Sequence, residues 1–102
     1  MATTLTRRRT YHVTPPILLG CCQATLARLH AQIEQQDLAR GMIIASIGSG
    51  MLGPVSELAL QVVPQGADRA HLTVTWRARK LGGDQTILPA FLASVDTLAR
   101  ST

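Results

Sequence analysis

The stretch LHAQIEQQDLARGMII, Leu29 to Ile44, decides how many strands this chain has. Upstream of it, Leu19, Cys22, Leu26, Leu29 and Ile33 recur at steps of three and four. That spacing is the apolar stripe of an amphipathic helix, and followed literally it carries the helix to Gln35 or Gln36. The other reading ends the helix near His30, makes AQIEQQ a short strand and turns through Asp37 to Gly41 into the next strand. Gln and Glu are good helix formers, which favours the longer helix.

Working outward from this point, GMIIASI, Gly41 to Ile47, is a β-branched apolar run with the look of a strand. VSELALQVV, Val55 to Val63, and AHLTVTWRARK, Ala70 to Lys80, both alternate. In the second, Leu72, Val74, Trp76 and Ala78 point one way and His71, Thr73, Thr75, Arg77 and Arg79 the other, the pattern of an antiparallel strand with one wet face. Pro64 to Asp68 is turn chemistry. Before the first helix, Arg9 to Val13 reads as a short strand, and residues 1–8 read as a basic flexible tail. Thr14-Pro15-Pro16 starts that helix, since proline suits its first positions. Thr86 starts a last helix with a stripe of Leu88, Phe91, Leu92, Val95, Leu98 and Ala99. The expectation is one α+β domain over residues 9–100. Its order is β-α-β-β-β-α, with an antiparallel four-stranded sheet and two helices packed on one face.

The 102 residues carry 46% hydrophobic side chains but only three aromatics, Tyr11, Trp76 and Phe91, so the core must be aliphatic. Ten Lys and Arg stand against six Asp and Glu, and nine of the ten are Arg. This excess suits an anionic partner, nucleic acid or lipid headgroups, and equally suits solubility. Arg7, Arg8 and Arg9 lead into the first strand, and Arg77, Arg79 and Lys80 extend the cleanest one. If those strands are neighbours, six positive charges gather on one rim. The planar guanidinium grips two oxygens of a phosphate or carboxylate at once. Single-strand nucleic-acid sites add stacking aromatics, and the outward set here has none.

Gly48-Ser49-Gly50-Met51-Leu52-Gly53 has the G-x-G-x-x-G spacing of a dinucleotide fingerprint. That chemistry needs a helix N-terminus after the glycines, and Pro54 followed by a period-two pattern does not provide one. The glycines read instead as a connection between two strands. Cys21 and Cys22 are adjacent, too close for an ordinary disulfide, and Cys22 lies on the helix's apolar stripe, so both read as reduced, buried thiols. His12, His30 and His71 have no ligand spacing, and the scattered acids form no pair. No catalytic residue, cofactor site or metal site is expected. The sequence TRRRTYHVTPPILLGCC looks superficially like a lipoprotein leader, but His12, Thr14, Pro15 and Pro16 interrupt the apolar run such a leader needs. No run is long enough for a transmembrane segment, so the expected location is cytoplasmic.

The order of elements, and Asp37, Gly41, Ile43 and Ile44 leading into a β-branched strand, resemble small bacterial helix-grip and TATA-box-binding-like domains. The resemblance implies a binding or assembly part, sometimes with an apolar pocket between helix and sheet, and carries no catalytic motif. The leading expectation is therefore a non-catalytic interaction domain that self-associates or docks on a protein partner through its sheet face or edge. The alternatives are a binder of a small apolar ligand between the sheet and the C-terminal helix, lined by Met42, Met51, Trp76 and Phe91, or a polyanion-binding module using the six basic residues.

Overall fold

A computed structural model describes residues 4–50, 53–78 and 86–101. Its elements run β1 (Thr4–Tyr11), α1 (Pro15–Arg28), β2 (Gln32–Asp37), β3 (Met42–Gly50), β4 (Gly53–Pro64), β5 (Ala70–Ala78) and α2 (Ile87–Arg100). The strands form one antiparallel sheet in the order β1-β5-β4-β3-β2. The expected four-stranded sheet is thus corrected to five strands.

The correction lies in the deciding stretch. α1 stops at Arg28, and His30 takes a left-handed backbone with φ 55°. Ala31 N–H then donates to Leu26 O at 2.9 Å and His30 N–H to Ala27 O at 3.1 Å. This pair of bonds is the Schellman closure, which satisfies the last carbonyls of a helix and ends it. All six residues of β2 are exposed. As a strand, the same residues pair with β3 along Gln32↔Ser46 to Asp37↔Met42, with a bulge between Ile33 and Gln35. Gln23 on α1 donates to Gln36 at 3.0 Å and ties the new edge to the helix. The turn into β3 depends on Gly41, whose φ is 70° and whose carbonyl accepts from Val62 N–H at 2.8 Å. A Cβ there would collide with the carbonyl oxygen of Val62.

A second difference concerns residues 4–8, read from the sequence as tail. They belong to β1 and pair with β5 from Thr4↔Arg77 to Tyr11↔Ala70. Leu5 anchors them by packing on the core, and an exposed edge tolerates the charge of the arginines.

Alternation gives the sheet two unlike faces. Ile43, Ala45 and Ile47, Leu58, Leu60 and Val62, and Ala70, Leu72, Val74 and Trp76 point inward and are buried. The helices cover them with Leu18, Leu19, Cys22 and Leu26 from α1 and Leu88, Phe91, Leu92, Val95 and Ala99 from α2. Each helix contributes one stripe, as the spacing predicts. Thr25 Oγ1 and Ser94 Oγ lie 3.0 Å apart and link the two helices. The outer face presents Thr6, Arg8, Thr73, Thr75 and Arg77. The glycine run joins β3 to β4 as a strand connection, with Gly50 opposite Gly53.

Candidate functional site

β1 is an edge strand, and its period of two sends neighbouring arginines to opposite sides. Arg7 and Arg9 pair with the buried Val74 and Leu72, so they stand on the helix-facing side. Arg8 pairs with Thr73 and shares the outer face with Arg77. The first strand does sit beside the Arg77 strand, but the expected rim of charge is divided between two faces. Arg79 and Lys80 lie outside the described residues.

On the helix-facing side, β1 and α2 enclose an open groove of about 490 Å³. Its apolar wall is Leu5, Leu88, Pro89, Leu92 and Ala93, and its polar groups are Arg7, Arg9, Thr86 and Asp96. Binding sites for small molecules are commonly this large and combine an apolar lining with a few placed polar groups. Arg7 Nη1 donates to Thr6 O at 2.9 Å and Arg9 Nη1 to Arg8 O at 3.0 Å. Both guanidiniums therefore lie along their own strand, holding backbone carbonyls, and each has further N–H donors to offer.

One polar contact holds Asp96, a residue of the groove wall, in place. Tyr11 Oη donates to Asp96 Oδ1 at 2.5 Å, joining β1 to α2. Burial pushes the Tyr11 hydroxyl well above its ordinary range. The Asp96 carboxylate pushes the same way, as hydrogen-bond acceptor and as negative charge, and Arg9 opposes them. Tyr11 is therefore a neutral donor at physiological pH, and Asp96 is held in place by it. Asp96 was read from the sequence only as one of the scattered acids. The available signal was its place on the helix, one turn after Leu92 and two after Leu88, on the ridge that lines the groove.

The expected pocket residues do not line this groove. Trp76 and Phe91 are core side chains, 1% and 0% exposed. Met42 stands exposed on the outer face and borders a shallow depression with Gln35, Asp37, Arg40 and Ile44. Met51 lies outside the described residues. A groove does lie between the sheet edge and the last helix, and its lining comes from β1, Thr86 and one ridge of α2 from Leu88 to Asp96.

The cysteines take no part. Burial pushes the Cys22 thiol up to about 12, with Cys21 adding to it, and burial also raises Cys21. Neither forms a thiolate at neutral pH. Among the described residues no three His, Cys, Asp or Glu side chains gather to hold a metal ion, and no helix is long and apolar enough to cross a membrane.

No protein-family model matches the chain, and no curated protein matches it in sequence. Solved structures do resemble it. A point mutant of norcoclaurine synthase from Thalictrum flavum, in complex with a transition-state analogue, aligns with a TM-score of 0.68 at 9% identity, covering 99% of this chain and 96% of that one. The same enzyme in complex with dopamine and hydroxybenzaldehyde aligns at 0.62 with 8% identity, covering 99% and 88%. The ZhuI aromatase/cyclase from Streptomyces sp. R1128 aligns at 0.59 with 11% identity, covering 96% and 88%. At such low identity the likeness shows the fold alone: an antiparallel sheet with two helices, shared with these structures.

Proposed function

We propose that the chain binds a small, mostly apolar molecule with an anionic end in the groove between β1 and α2. One observation carries this reading: Arg7 and Arg9, the charged residues of an edge strand, face the helix side and overhang an apolar cavity of about 490 Å³. An apolar body lies against Leu5, Leu88, Pro89 and Leu92. Its carboxylate meets the free N–H groups of Arg7 and Arg9, and such charge-assisted bonds are roughly twice as strong as neutral ones. Asp96, anchored by Tyr11, rejects a second anion at the inner corner. Norcoclaurine synthase, which shares the fold, has been seen with small aromatic molecules. The sequence's leading expectation of an assembly domain gives way to its ligand-binding alternative, because Arg7 and Arg9 stand on the groove's side of the sheet and not on the outer face.

Titration calorimetry with 2-naphthoate tests the reading. Saturable binding is expected. Arg7→Ala with Arg9→Ala should weaken it at least tenfold, while the outer-face pair Arg8→Ala with Arg77→Ala leaves it unchanged. Ala93→Phe, at an exposed position on the groove wall, should abolish it by filling the space. Absence of saturable binding, or binding indifferent to Ala93→Phe, refutes the proposal.

A further inference from the structure

Three charged side chains line the groove, and none of them is paired with another. Arg7 and Arg9 stand on the β1 wall and Asp96 on the α2 wall. Charge taken partly out of water gains most by meeting its opposite, so an arginine would ordinarily close on the carboxylate across so apolar a lining. Neither does. Arg7 and Arg9 hold the carbonyls of Thr6 and Arg8 on their own strand. Arg100, the next cation along α2, turns its Nε to the backbone carbonyl of Asp96 at 3.3 Å and not to the carboxylate. Among the described residues Asp96 forms no ion pair, and its half-buried carboxylate accepts one hydrogen bond, from Tyr11 to Oδ1. Oδ2 is left for another donor.

The charges are also ordered along the groove. Arg9 and Tyr11 are two residues apart on one side of β1, about 6.5–7 Å along the strand. Arg9 is near enough for its charge to act on the Tyr11 hydroxyl, and Asp96 is bonded to that hydroxyl. One end of the groove therefore carries a cation and an anion on facing walls. Away from it, the β1 wall runs about 13 Å from Arg9 to Leu5 and the α2 wall about 12 Å from Asp96 to Leu88. The far end is apolar.

The geometry points to a zwitterion as the occupant, an apolar α-amino acid, an inference that rests on the reading of the groove given above. Its carboxylate takes the free N–H groups of Arg9, with Arg7 beside it, and its ammonium donates to Asp96 Oδ2. Charge-assisted bonds of about 2.7–2.9 Å at each end, with the two covalent bonds that separate the charged groups on one α-carbon, span the step from Arg9 to Asp96. The apolar side chain lies toward Leu5, Leu88 and Pro89. Tyr11 is a positioning residue, fixing Asp96 through Oδ1.

Two matched probes isolate the ammonium: 3-(2-naphthyl)alanine and 3-(2-naphthyl)propanoate, which differ only there. In titration calorimetry at neutral pH the unmodified protein should bind the amino acid about tenfold more tightly, the gain expected from a hydrogen bond between charged groups. Arg7→Ala with Arg9→Ala should weaken both probes. Asp96→Asn, which keeps an acceptor for Tyr11, should weaken the amino acid and strengthen the propanoate, so that the preference disappears. A merely structural role for Asp96 would move both probes the same way. Equal affinities in the unmodified protein, or a preference that survives Asp96→Asn, overturn the inference and leave the groove reading standing. If neither probe binds, the groove reading falls and this inference with it. Should Asp96→Asn fail to fold, 3-(2-naphthyl)lactate decides with the unmodified protein. Its neutral hydroxyl replaces the ammonium, so it should bind about tenfold more weakly than the amino acid, and equal binding overturns the inference.

Discussion

Replacing Gly41 with alanine should cost this protein a large share of its stability. Gly41 has φ 70°, and a Cβ at that position would run into the carbonyl oxygen of Val62. A left-handed backbone costs a non-glycine residue about 1–2 kcal/mol. Relieving the collision means moving the β2–β3 turn away from β4, which breaks the 2.8 Å bond from Val62 N–H to Gly41 O, a further loss of about 1 kcal/mol. The stiffer unfolded chain returns only about 0.4–1 kcal/mol. The net loss is about 2 kcal/mol, and at roughly 4–8 °C per kcal/mol for a domain near this size the melting temperature should fall by about 8–16 °C. Circular dichroism melts and urea titrations read this directly. Two other glycines serve as controls. Gly66 has φ 118° with nothing near its would-be Cβ, so Gly66→Ala carries strain without collision and should cost less. Gly20 sits exposed within α1, also with open space around it, so Gly20→Ala should stabilise by about 0.5–1 kcal/mol. A Gly41→Ala protein within 0.5 kcal/mol of the parent, the ordinary scatter of surface changes, would refute the argument.

Other outcomes follow from the same structure. Tyr11→Phe removes a bond to a carboxylate and should cost about 1–2 kcal/mol in urea titration, with Asp96 released from its anchor. Cys22 holds its proton up to about 12 when folded, against 9.0 ordinarily. Its pKa is raised, so the stabilisation is complete below 9.0 and is lost as pH climbs through that window, at about 1.4 kcal/mol per pH unit. Cys22→Ala should flatten this alkaline limb of the stability–pH curve, and the native protein should resist thiol reagents at pH 8. His30→Gly relieves a left-handed backbone at the end of α1 and should raise the melting temperature by a few degrees, measured against His30→Ala, which should not.

The two helices and three of the strands were legible because their periods are strong. In β5, inward and outward residues alternate without a break, and in α2 the stripe from Leu88 to Ala99 is continuous. β2 was not legible. Its residues are all exposed, so it carries no apolar period, and what makes it a strand is a helix closure at His30 together with the free edge of β3. β1 was half legible, because Arg7 to Arg9 read as solvated charge until the pairing with β5 showed which of them face inward. The groove was harder still. The sequence suggested a cavity between sheet and last helix, but aromatic and methionine residues were the obvious lining, and the core absorbed Trp76 and Phe91 instead. Asp96 looked like one more surface acid because its partner, Tyr11, lies 85 positions away.

β1 can be viewed as two interleaved texts. Leu5, Arg7, Arg9 and Tyr11 are written to the interior, and Thr4, Thr6, Arg8 and Thr10 to the exterior. The even-numbered text can be rewritten, for a fluorophore or a surface tether, while the odd-numbered one still spells the groove. Deleting a single residue within the strand has a different consequence. It forces the remainder to slip by one, which exchanges the two texts: Arg8 would enter the groove and Arg7 would leave it. Substitution along this edge is therefore cheap on one side, whereas a change of length by one residue garbles both sides at once.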